Sequence, residues 1–277
     1  MGVGFGRGFV AVVLVGVVAV LWCSPRAMGQ PAACDDPFAP PPTVGVGLLP
    51  TDIATGDLDG DGRPDAVTAN ANSEDISVLL ATGPGAFAPE VRYAFSRGPI
   101  GVEIVDFDLD GLLDVIVLCG DGGAVDVYLN AGGGTLSLDR SYGVLGQTSD
   151  LALGDINDDG LLDAVVTHAD RNSLVTLLGD APGSFSSAVP HPTDARPEGV
   201  ALADLDGDGD LDAAMAQDSA TPLNIFMNDG TGALGPAQPY SGTFNPIGIV
   251  AADFDGDGQL TIFDFLAFQN AFDAGCA

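Results

Sequence analysis

Acidic segments recur along the chain, each with oxygen-bearing side chains at alternate positions. Four of them read D-x-[DN]-x-D-G-x-x-D and open at Asp57, Asp106, Asp155 and Asp204. Side chains at positions 1, 3 and 5 can point into one concavity, and the Gly at position 6 permits a sharp bend. A carbonyl at position 7 and the carboxylate at position 9 complete about six or seven oxygen ligands, which suits Ca²⁺ better than Mg²⁺. The predicted metal ligands of these loops are Asp57, Asp59, Asp61, Asp65, Asp106, Asp108, Asp110, Asp114, Asp155, Asn157, Asp159, Asp163, Asp204, Asp206, Asp208 and Asp212.

The alternative is a solvated acidic turn, which is common in salt-adapted and very acidic proteins. A solvated turn needs charge, but it does not need a repeated order of ligand positions around a Gly. Three or four carboxylates within nine residues also repel one another and resist folding unless a cation neutralises them. We therefore predict about one Ca²⁺ per acidic loop, up to about five in all, as part of the fold.

The fifth loop, which opens at Asp253, differs from the others. It has Thr261 at position 9 and an acid at position 12, which is EF-hand spacing with Asp264 in place of the usual Glu. Apolar residues then follow at helical spacing from Ile262 to Phe272, which predicts a short amphipathic helix. The predicted ligands of this loop are Asp253, Asp255, Asp257 and Asp264.

The loops are spaced by 49 residues, and the same period extends beyond them. In the first unit the pattern predicts strands at Thr51–Gly56, Ala66–Asn70, Asp75–Ala81 and Phe87–Tyr93. Four short strands in a unit of this length predict an all-β fold, a β-propeller with four-stranded blades. Positions in register include Pro50, Pro99, Pro197 and Pro246; Ile53, Val102, Leu151, Val200 and Ile249; Gly85, Gly134, Gly183 and Gly232; and Phe38, Phe87, Leu136, Phe185 and Leu234.

The number of blades is left at four or five. Four complete units lie between Pro50 and Asn245, one extra fourth strand precedes them near Phe38, and one extra first strand follows at 247–252. These extra strands can meet and close the ring, but an open fan and closure between molecules are alternatives.

Charge excludes several classes of function. The chain has 39 acidic residues against 8 Arg and no Lys, for a net charge of -31, so it cannot hold a nucleic-acid backbone by electrostatics. The absence of Lys removes Schiff-base and P-loop chemistry. The only two histidines are His168 and His191, which argues against a multi-His zinc site.

The start of the chain resembles an export signal. The apolar run from Phe9 to Trp22 has 14 residues, shorter than the roughly 20 of a bilayer span, and Ala27-Met28-Gly29 follows as a small-x-small cleavage pattern. A lipoprotein anchor on Cys23 is the alternative. We predict a signal peptide at 1–29, a linker at 30–36, propeller repeats at 37–252 and a tail at 253–277. The mature chain is then secreted or held at the cell surface, with no transmembrane span.

Three cysteines remain after cleavage. Cys34 and Cys276 lie near the two mature ends and can pair, while the odd count leaves at least one thiol free or paired between chains. Cys119 ends the apolar run from Val115, so we predict that it is a small buried residue and not a nucleophile.

At these loops, and at Gly-x-Phe/Leu turns such as Gly85-Ala-Phe87 and Gly183-Ser-Phe185, the chain resembles the FG-GAP/VCBS repeat proteins over about residues 36–257. These are calcium-binding propellers related to the integrin α-subunit head. The resemblance implies that the loops join the first and second strands of a blade and bind Ca²⁺. The tail resembles half of a dockerin module, which implies cohesin binding or cell-surface attachment.

The sequence favours a secreted calcium-binding propeller that acts as a binding or adhesion module for an extracellular protein or glycan. One alternative is a secreted or surface-anchored polysaccharide-degrading enzyme component, and another is a passive cell-surface structural protein. No catalytic residue is predicted. His168 shares its repeat position with Asn70, Cys119 and Gln217, and His191 shares its position with three tyrosines, so both histidines are expected to be structural.

Overall fold

The structure, a computed structural model, describes residues 11–14, 17–20, 43–217 and 223–240, together with Ile249. Within these ranges the secondary structure is entirely β, without a helix. The first two strands, β1 (Ala11–Leu14) and β2 (Val17–Val20), pair with each other inside the predicted leader. The same ranges contain no helix that is long and apolar enough to cross a bilayer.

Four antiparallel sheets of four strands form the blades of a β-propeller, and in each sheet the strands follow chain order from one edge to the other. Blade 1 has β3 (Pro50–Gly56), β4 (Asp65–Asn70), β5 (Asp75–Leu79) and β8 (Val91–Ala94). Blade 2 has β9 (Pro99–Val105), β10 (Asp114–Cys119), β11 (Ala124–Asn130) and β12 (Leu136–Gly143). Blade 3 has β13 (Thr148–Gly154), β14 (Asp163–His168), β15 (Ser173–Leu177) and β18 (Val189–Pro192), and blade 4 has β19 (Pro197–Ala203), β20 (Asp212–Gln217), β21 (Leu223–Phe226) and β22 (Gln238–Tyr240). Two small hairpins extend blades 1 and 3, formed by β6 (Ala81–Gly83) with β7 (Ala86–Phe87) and by β16 (Gly179–Ala181) with β17 (Ser184–Phe185).

The first strands β3, β9, β13 and β19 pack against one another around the centre, so each blade presents its first strand to the axis. The second strand of each blade is buried along its whole length. A strand enclosed by sheets on both faces carries apolar residues at successive positions and not at alternate ones. The run Val115–Cys119 in β10 shows this pattern, and it explains why the repeat contains short continuous apolar segments.

Hydrophobic layers between successive blades hold the propeller together. Between blades 1 and 2, Leu58 and Val67 pack with Val102, Val117 and Leu136. Equivalent layers lie between blades 2 and 3 and between blades 3 and 4. The predicted all-β propeller with four-stranded blades is therefore confirmed, and four blades are described.

The predicted strand boundaries in blade 1 hold for the first two strands to within one residue. The third strand, predicted over Asp75–Ala81, ends two residues earlier, because the Ala81 N–H donates to Asp65 Oδ1 and leaves the ladder. The fourth, predicted over Phe87–Tyr93, is divided between β7 and β8, and Pro89 between them has no N–H to donate to a ladder.

Several predicted features lie outside the described residues. They are the linker at 30–36, the extra strand near Phe38, the cysteines Cys34 and Cys276, the tail at 253–277 with its helix, and the fifth loop with Asp253, Asp255, Asp257 and Asp264.

Candidate metal centres

The four described acidic loops each join the first and second strands of one blade, so all four lie at the same end of the propeller. The second residue of each loop points inward: Leu58 is 1 % exposed, and Phe107, Ile156 and Leu205 are also buried. Leu58 belongs to the hydrophobic layer between blades 1 and 2. Each loop is therefore anchored by one apolar side chain while its polar positions face the rim.

The backbone of the loops turns at two positions. Position 6 has positive φ in every loop, from 83° at Gly160 to 104° at Gly209, as the sequence pattern predicted. Position 4 also has positive φ, and in two loops it is not glycine: Leu109 has φ 62° and Asp158 has φ 56°. A non-glycine residue pays a conformational penalty there, so the loop geometry is imposed by its surroundings.

The first carboxylate of each loop organises the turn. In loop 1, Asp57 Oδ1 accepts the Asp61 N–H at 3.0 Å and Oδ2 accepts the Gly62 N–H at 2.8 Å. Asp59 Oδ1 accepts the same Asp61 N–H at 3.1 Å. These bonds fold the loop around its own carboxylates, with the acidic oxygens directed to a common side.

Carboxylate oxygens converge in three of the loops. In each of these loops, one oxygen from each of three Asp residues lies within 4.8 Å of the other two. The three groups are Asp57, Asp59 and Asp61; Asp106, Asp108 and Asp114; and Asp204, Asp206 and Asp212.

Loop 3 has the same fold with an amide in place of one carboxylate. Asp155 Oδ2 accepts the Gly160 N–H at 2.8 Å, as its counterpart does in loop 1. Asn157 Oδ1 accepts the Asp159 N–H, and its Nδ2 donates to Asp159 Oδ2 at 3.0 Å. The amide thus donates a hydrogen bond to a neighbouring carboxylate. Because Asn157 stands where the other loops have Asp, this loop has one negative charge fewer.

Position 9 has a structural role that the sequence did not reveal. Asp65 is 0 % exposed, and it accepts the Leu58 N–H through Oδ2 at 2.8 Å and the Ala81 N–H through Oδ1 at 2.7 Å. It therefore ties the loop to the end of the third strand. Burial raises the pKa of this carboxyl, and the two backbone donors oppose that rise. The same two-sided bonding occurs at Asp114, Asp163 and Asp212.

The donor set fits a hard divalent cation. It consists of oxygen atoms, and carboxylates that approach within 4.8 Å of one another gain from a positive charge between them. Asp106 Oδ1 adds a specific indication, because it is buried and has no hydrogen-bond partner among the described residues. A buried carboxylate oxygen without a donor is costly, and a metal ion at that position would satisfy it.

Loops 1 and 2 also contact the next blade. The Gly134 N–H donates to the Leu58 carbonyl of loop 1 at 3.1 Å, and the Gly183 N–H donates to the Phe107 carbonyl of loop 2 at 3.0 Å. These glycines belong to the Gly-x-Phe/Leu turns and have φ of 70° and 75°. The conformation of a loop is therefore coupled to the position of the blade that follows it.

A second acidic group, at the centre of the propeller, was not predicted. A cavity of about 450 Å³ is lined by Asp52, Glu103, Asp150 and Glu198 from the four first strands. Desolvation raises the pKa of Asp52, Glu103 and Asp150. These acids do not recur every 49 residues, so the repeat pattern that identified the loops gave no signal for them.

The histidines and Cys119 lie apart from the loops. His168 is 1 % exposed, and burial lowers its pKa. His191 lies on β18 with Nε2 3.1 Å from Thr176 Oγ1. Cys119 is buried with a free thiol, as predicted, and burial together with the nearby Asp126 raises its pKa to about 12.

Solved structures of other proteins are similar to this chain. The crystal structure of BBS1N in complex with ARL6DN, soaked with lead, has a TM-score of 0.55 and 14% identity, covering 75% of this chain and 61% of that one. A streptogramin B lyase structure has a TM-score of 0.48 and 15% identity, covering 72% of this chain and 58% of that one. This chain thus spans about three fifths of the length of each of these two structures. Among proteins of curated function, none matches the sequence significantly.

A protein-family model matches the repeats themselves. The model, described as FG-GAP-like repeat, matches residues 57–117, 106–166, 155–215 and 204–263. Each match begins at the first Asp of an acidic loop, and together they span most of the four-bladed fold. The chain belongs to the FG-GAP-like repeat family.

Proposed function

We propose that this protein is an exported propeller whose rim loops bind Ca²⁺, and that the assembled propeller is a binding or adhesion module for an extracellular protein. The observation that supports it most directly is the convergence of three carboxylates in loops 1, 2 and 4. Bound Ca²⁺ would supply positive charge at these oxygens and remove their mutual repulsion. The ligands would be the predicted loop residues, with position 9 serving also as the tie to the third strand.

The bonds between loop and blade give the metal a structural effect. Leu58 provides both an apolar anchor in the layer between blades 1 and 2 and a carbonyl that accepts from Gly134 of blade 2. A cation that fixes the conformation of loop 1 therefore also fixes the contact of Leu58 with blade 2. The same relation holds for Phe107 and Gly183 at the next junction. Metal binding on the rim would thus stiffen the whole stack of blades.

A protein ligand is favoured over a glycan. In the similar crystal structure, BBS1N is in complex with ARL6DN, so a fold of this kind can present a surface to a protein. Aromatic residues are 7% of the sequence, and its single Trp lies in the predicted leader, so stacking platforms for sugars are few. Export follows from the predicted leader, and the dockerin-like tail is proposed as an attachment segment.

Calorimetric titration of the mature chain, residues 30–277, with Ca²⁺ and with Mg²⁺ tests the metal site. We expect Ca²⁺ to bind more tightly than Mg²⁺. The paired variant Asp59→Ala with Asp206→Ala should lose about two of the binding events, because it removes the position-3 oxygen ligand that loop 3 retains as Asn157. The control Asp121→Ala with Asp194→Ala removes the same charge from turns at the opposite end of the blades and should bind normally. Absence of Ca²⁺ binding in the parent protein would refute the proposal.

Binding to an array of extracellular proteins and glycans tests the second part. Signals for proteins that disappear in EDTA would support a calcium-dependent adhesion module. Signals confined to glycans would redirect the assignment to carbohydrate binding. Release of sugars from acidic or neutral polysaccharides would favour the enzyme alternative, and an inert surface in all assays would favour a passive structural role.

A further inference from the structure

The end of the propeller opposite the acidic loops, here called the distal face, carries an exposed leucine on strained backbone. The turns that join second to third strands, and fourth strands to the next blade, form this face. Leu145 lies in the turn between blades 2 and 3, where it is 63 % exposed and has a φ of 60°. A bulky residue pays a conformational penalty at this φ that Gly would avoid. Leu145 also packs into none of the hydrophobic clusters of the described residues, so strain without a packing gain favours a contact with a ligand.

Two arginines on the distal face have no polar partner among the described residues. The ion pairs in that part of the chain use the other arginines, Arg63, Arg92, Arg140 and Arg196. Arg97, which is half-buried, and Arg171, which is exposed, have neither an ion pair nor a hydrogen bond there. Asp170 does not pair with Arg171, and its Oδ1 accepts the Gln147 N–H at 2.8 Å. Each of the two guanidinium groups can therefore still form a charge-assisted pair with a carboxylate.

These two arginines and Leu145 lie on one continuous surface. In the 120–123 turn of blade 2, a Cβ at Gly122 would lie 3.9 Å from Arg97 Cδ. A Cβ on the next residue of that turn would lie 3.2 Å from the carbonyl carbon of Leu145. A Cβ at Gly146 would lie 2.9 Å from Arg171 Nε, so this guanidinium lies against bare backbone. We call this surface the distal patch, and its members are Arg97, Leu145 and Arg171.

The distal patch is electrostatically separate from the acidic loops. The first strands β3, β9 and β13 have 7 residues each. At about 3.3 Å per residue, such a strand places roughly 23 Å between the two ends of the propeller. The Debye length is about 8 Å at physiological ionic strength, so the loop carboxylates are screened from the patch. Its two unpaired arginines can therefore attract carboxylates at short range despite the acidic composition of the chain.

We propose that the distal patch binds the protein ligand, through a segment of that ligand that carries carboxylate side chains next to an apolar side chain. The inference rests on the proposed function for the existence of a protein ligand. Charge complementarity selects the segment, because a carboxylate can pair with each guanidinium and no existing ion pair has to break first. Leu145 gains from burial against the apolar side chain between the two charges.

Selection of random peptides displayed on phage against the intact mature chain in Ca²⁺ tests the chemistry of the bound segment. The recovered peptides should be enriched, relative to the starting library, in Asp or Glu close to Leu, Ile or Phe. Recovery of no acidic peptide would overturn the proposal. Enrichment of basic peptides would also overturn it, because the acidic loops or the central acids would then select the ligand.

Fluorescence anisotropy with the most tightly bound acidic peptide tests the arginines. Arg97→Ala with Arg171→Ala should weaken binding by roughly tenfold or more, because each substitution removes a charge-assisted pair. The control Arg92→Ala with Arg140→Ala removes the same charge from outer strands, at arginines that already have ion pairs, and should bind normally. Equal losses in the two variants would indicate attraction by net charge and would contradict the proposed site.

Leu145→Gly tests the leucine separately from folding. Gly adopts the positive φ without strain, so the Tm should not fall, while peptide binding should weaken by roughly threefold or more. Leu109→Gly is the matched control, because Leu109 is 58 % exposed with a φ of 62° at the opposite end of the propeller. It should bind the peptide normally, and normal binding by the Leu145 variant would contradict the proposed contact.

An array of extracellular proteins, probed with the parent chain and with the variant of Arg97 and Arg171, separates this inference from the proposed function. Array proteins that bind both equally would refute the distal patch and leave the proposed function standing. Loss of their signals in the variant would support both. Acidic peptides bound at the patch by a chain that shows no Ca²⁺ binding would leave the patch standing and refute the proposed metal sites.

Discussion

Aspartates within one acidic loop have different structural roles. Asp59, at position 3, has an oxygen in the converging carboxylate group, and its backbone bonds are confined to the loop. Asp65, at position 9, has both oxygens occupied by N–H groups from separate parts of blade 1. Substitution of the two should therefore affect stability under different conditions.

We expect Asp65→Asn to lower the free energy of unfolding by about 1–3 kcal/mol both in Ca²⁺ and in EDTA, because an amide NH₂ would face a buried N–H donor. Asp59→Asn should lower it only in Ca²⁺, and in EDTA it should be neutral or stabilising because it removes repulsion. Urea unfolding of both variants in the two buffers measures the difference. Equal sensitivity of both variants to Ca²⁺ would contradict the distinct roles.

Glu103 provides a residue-level test of the central cavity. Desolvation, followed by the charges of Asp52 and Asp150, raises its pKa above the usual value of 4.5. The folded protein therefore holds this proton at a pH where the unfolded chain has released it. Stability from this group is present below about pH 4.5 and is lost as the pH rises through the raised folded value.

Glu103→Gln should therefore stabilise the protein at pH 7 by less than about 1 kcal/mol, since the cavity is open to solvent and the charges are screened. It should also flatten the fall in stability between about pH 4.5 and pH 7. Thermal unfolding across this range, with Glu74→Gln in an exposed turn as the control, provides the measurement. A steeper pH dependence in the Glu103 variant would show that the carboxylate is stabilising.

At the scale of strands, the ties between blades that are made by Asp and Asn side chains repeat every 98 residues and not every 49. Asp52 of blade 1 accepts the Val102 N–H of blade 2, and Asp150 of blade 3 accepts the Val200 N–H of blade 4. Asn130 and Asn228 likewise donate to carbonyls of the preceding blade. Blades 1 and 3 also share the additional hairpins. These Asp and Asn ties therefore follow a unit of two blades.

Tyrosines on the outer strands tie blade 1 to blade 2 and blade 2 to blade 3. The Tyr93 hydroxyl of blade 1 accepts the Leu136 N–H at 3.0 Å, and the Tyr142 hydroxyl of blade 2 accepts the Phe185 N–H at 3.0 Å. Tyr93→Phe should cost about 1–3 kcal/mol by leaving that N–H without its partner. Tyr240→Phe, at the same repeat position in blade 4, is the matched control, because the described residues offer its hydroxyl no such donor. Guanidinium unfolding compares them, and equal losses would contradict this role.

The sequence predicted the strands and loops well because both obey short-range rules. The sequence shows a Gly at position 6, which allows the positive φ that the turn needs. It also shows the apolar runs that form the second strands. The double role of Asp65 was not predictable, since it depends on Ala81, which is brought close by folding. The apolar anchor at position 2 could have been found, because Leu58, Phe107 and Ile156 keep one chemical class in register.

The central acids show a different limit of prediction. Asp52 and Glu103 lie on neighbouring first strands, and only the arrangement of those strands around an axis brings them to one cavity. Nothing in their spacing along the chain indicates this. Contacts between blades are long-range, so their pairing is set by the packing of whole sheets.

For the whole molecule, charge and architecture act together. The net charge of -31 is unevenly placed, because the four described loops concentrate carboxylates at one end of the propeller while apolar layers fill the space between the blades. Repulsion at that end opposes folding, and the anchor residues couple the loops directly to the layers. A change in the charge of the loops should therefore change the free energy of unfolding of the whole propeller, and not only the local order of the loops.

Removal of divalent ions should accordingly destabilise the whole propeller in one transition. A ligand present at a hundred times its Kd stabilises by about 2.7 kcal/mol per site, and about 1 kcal/mol shifts the Tm of a domain of this size by roughly 2–4 °C. Several occupied loops then predict a fall in Tm of more than about 10 °C in EDTA, restored better by Ca²⁺ than by Mg²⁺. High NaCl should recover part of the loss, since it screens the exposed carboxylates but cannot fill the buried position at Asp106. Scanning calorimetry in EDTA, in Ca²⁺, in Mg²⁺ and in EDTA with high NaCl tests this. A Tm that is unchanged by EDTA would mean that hydrogen bonds within the loops suffice to hold the carboxylates together.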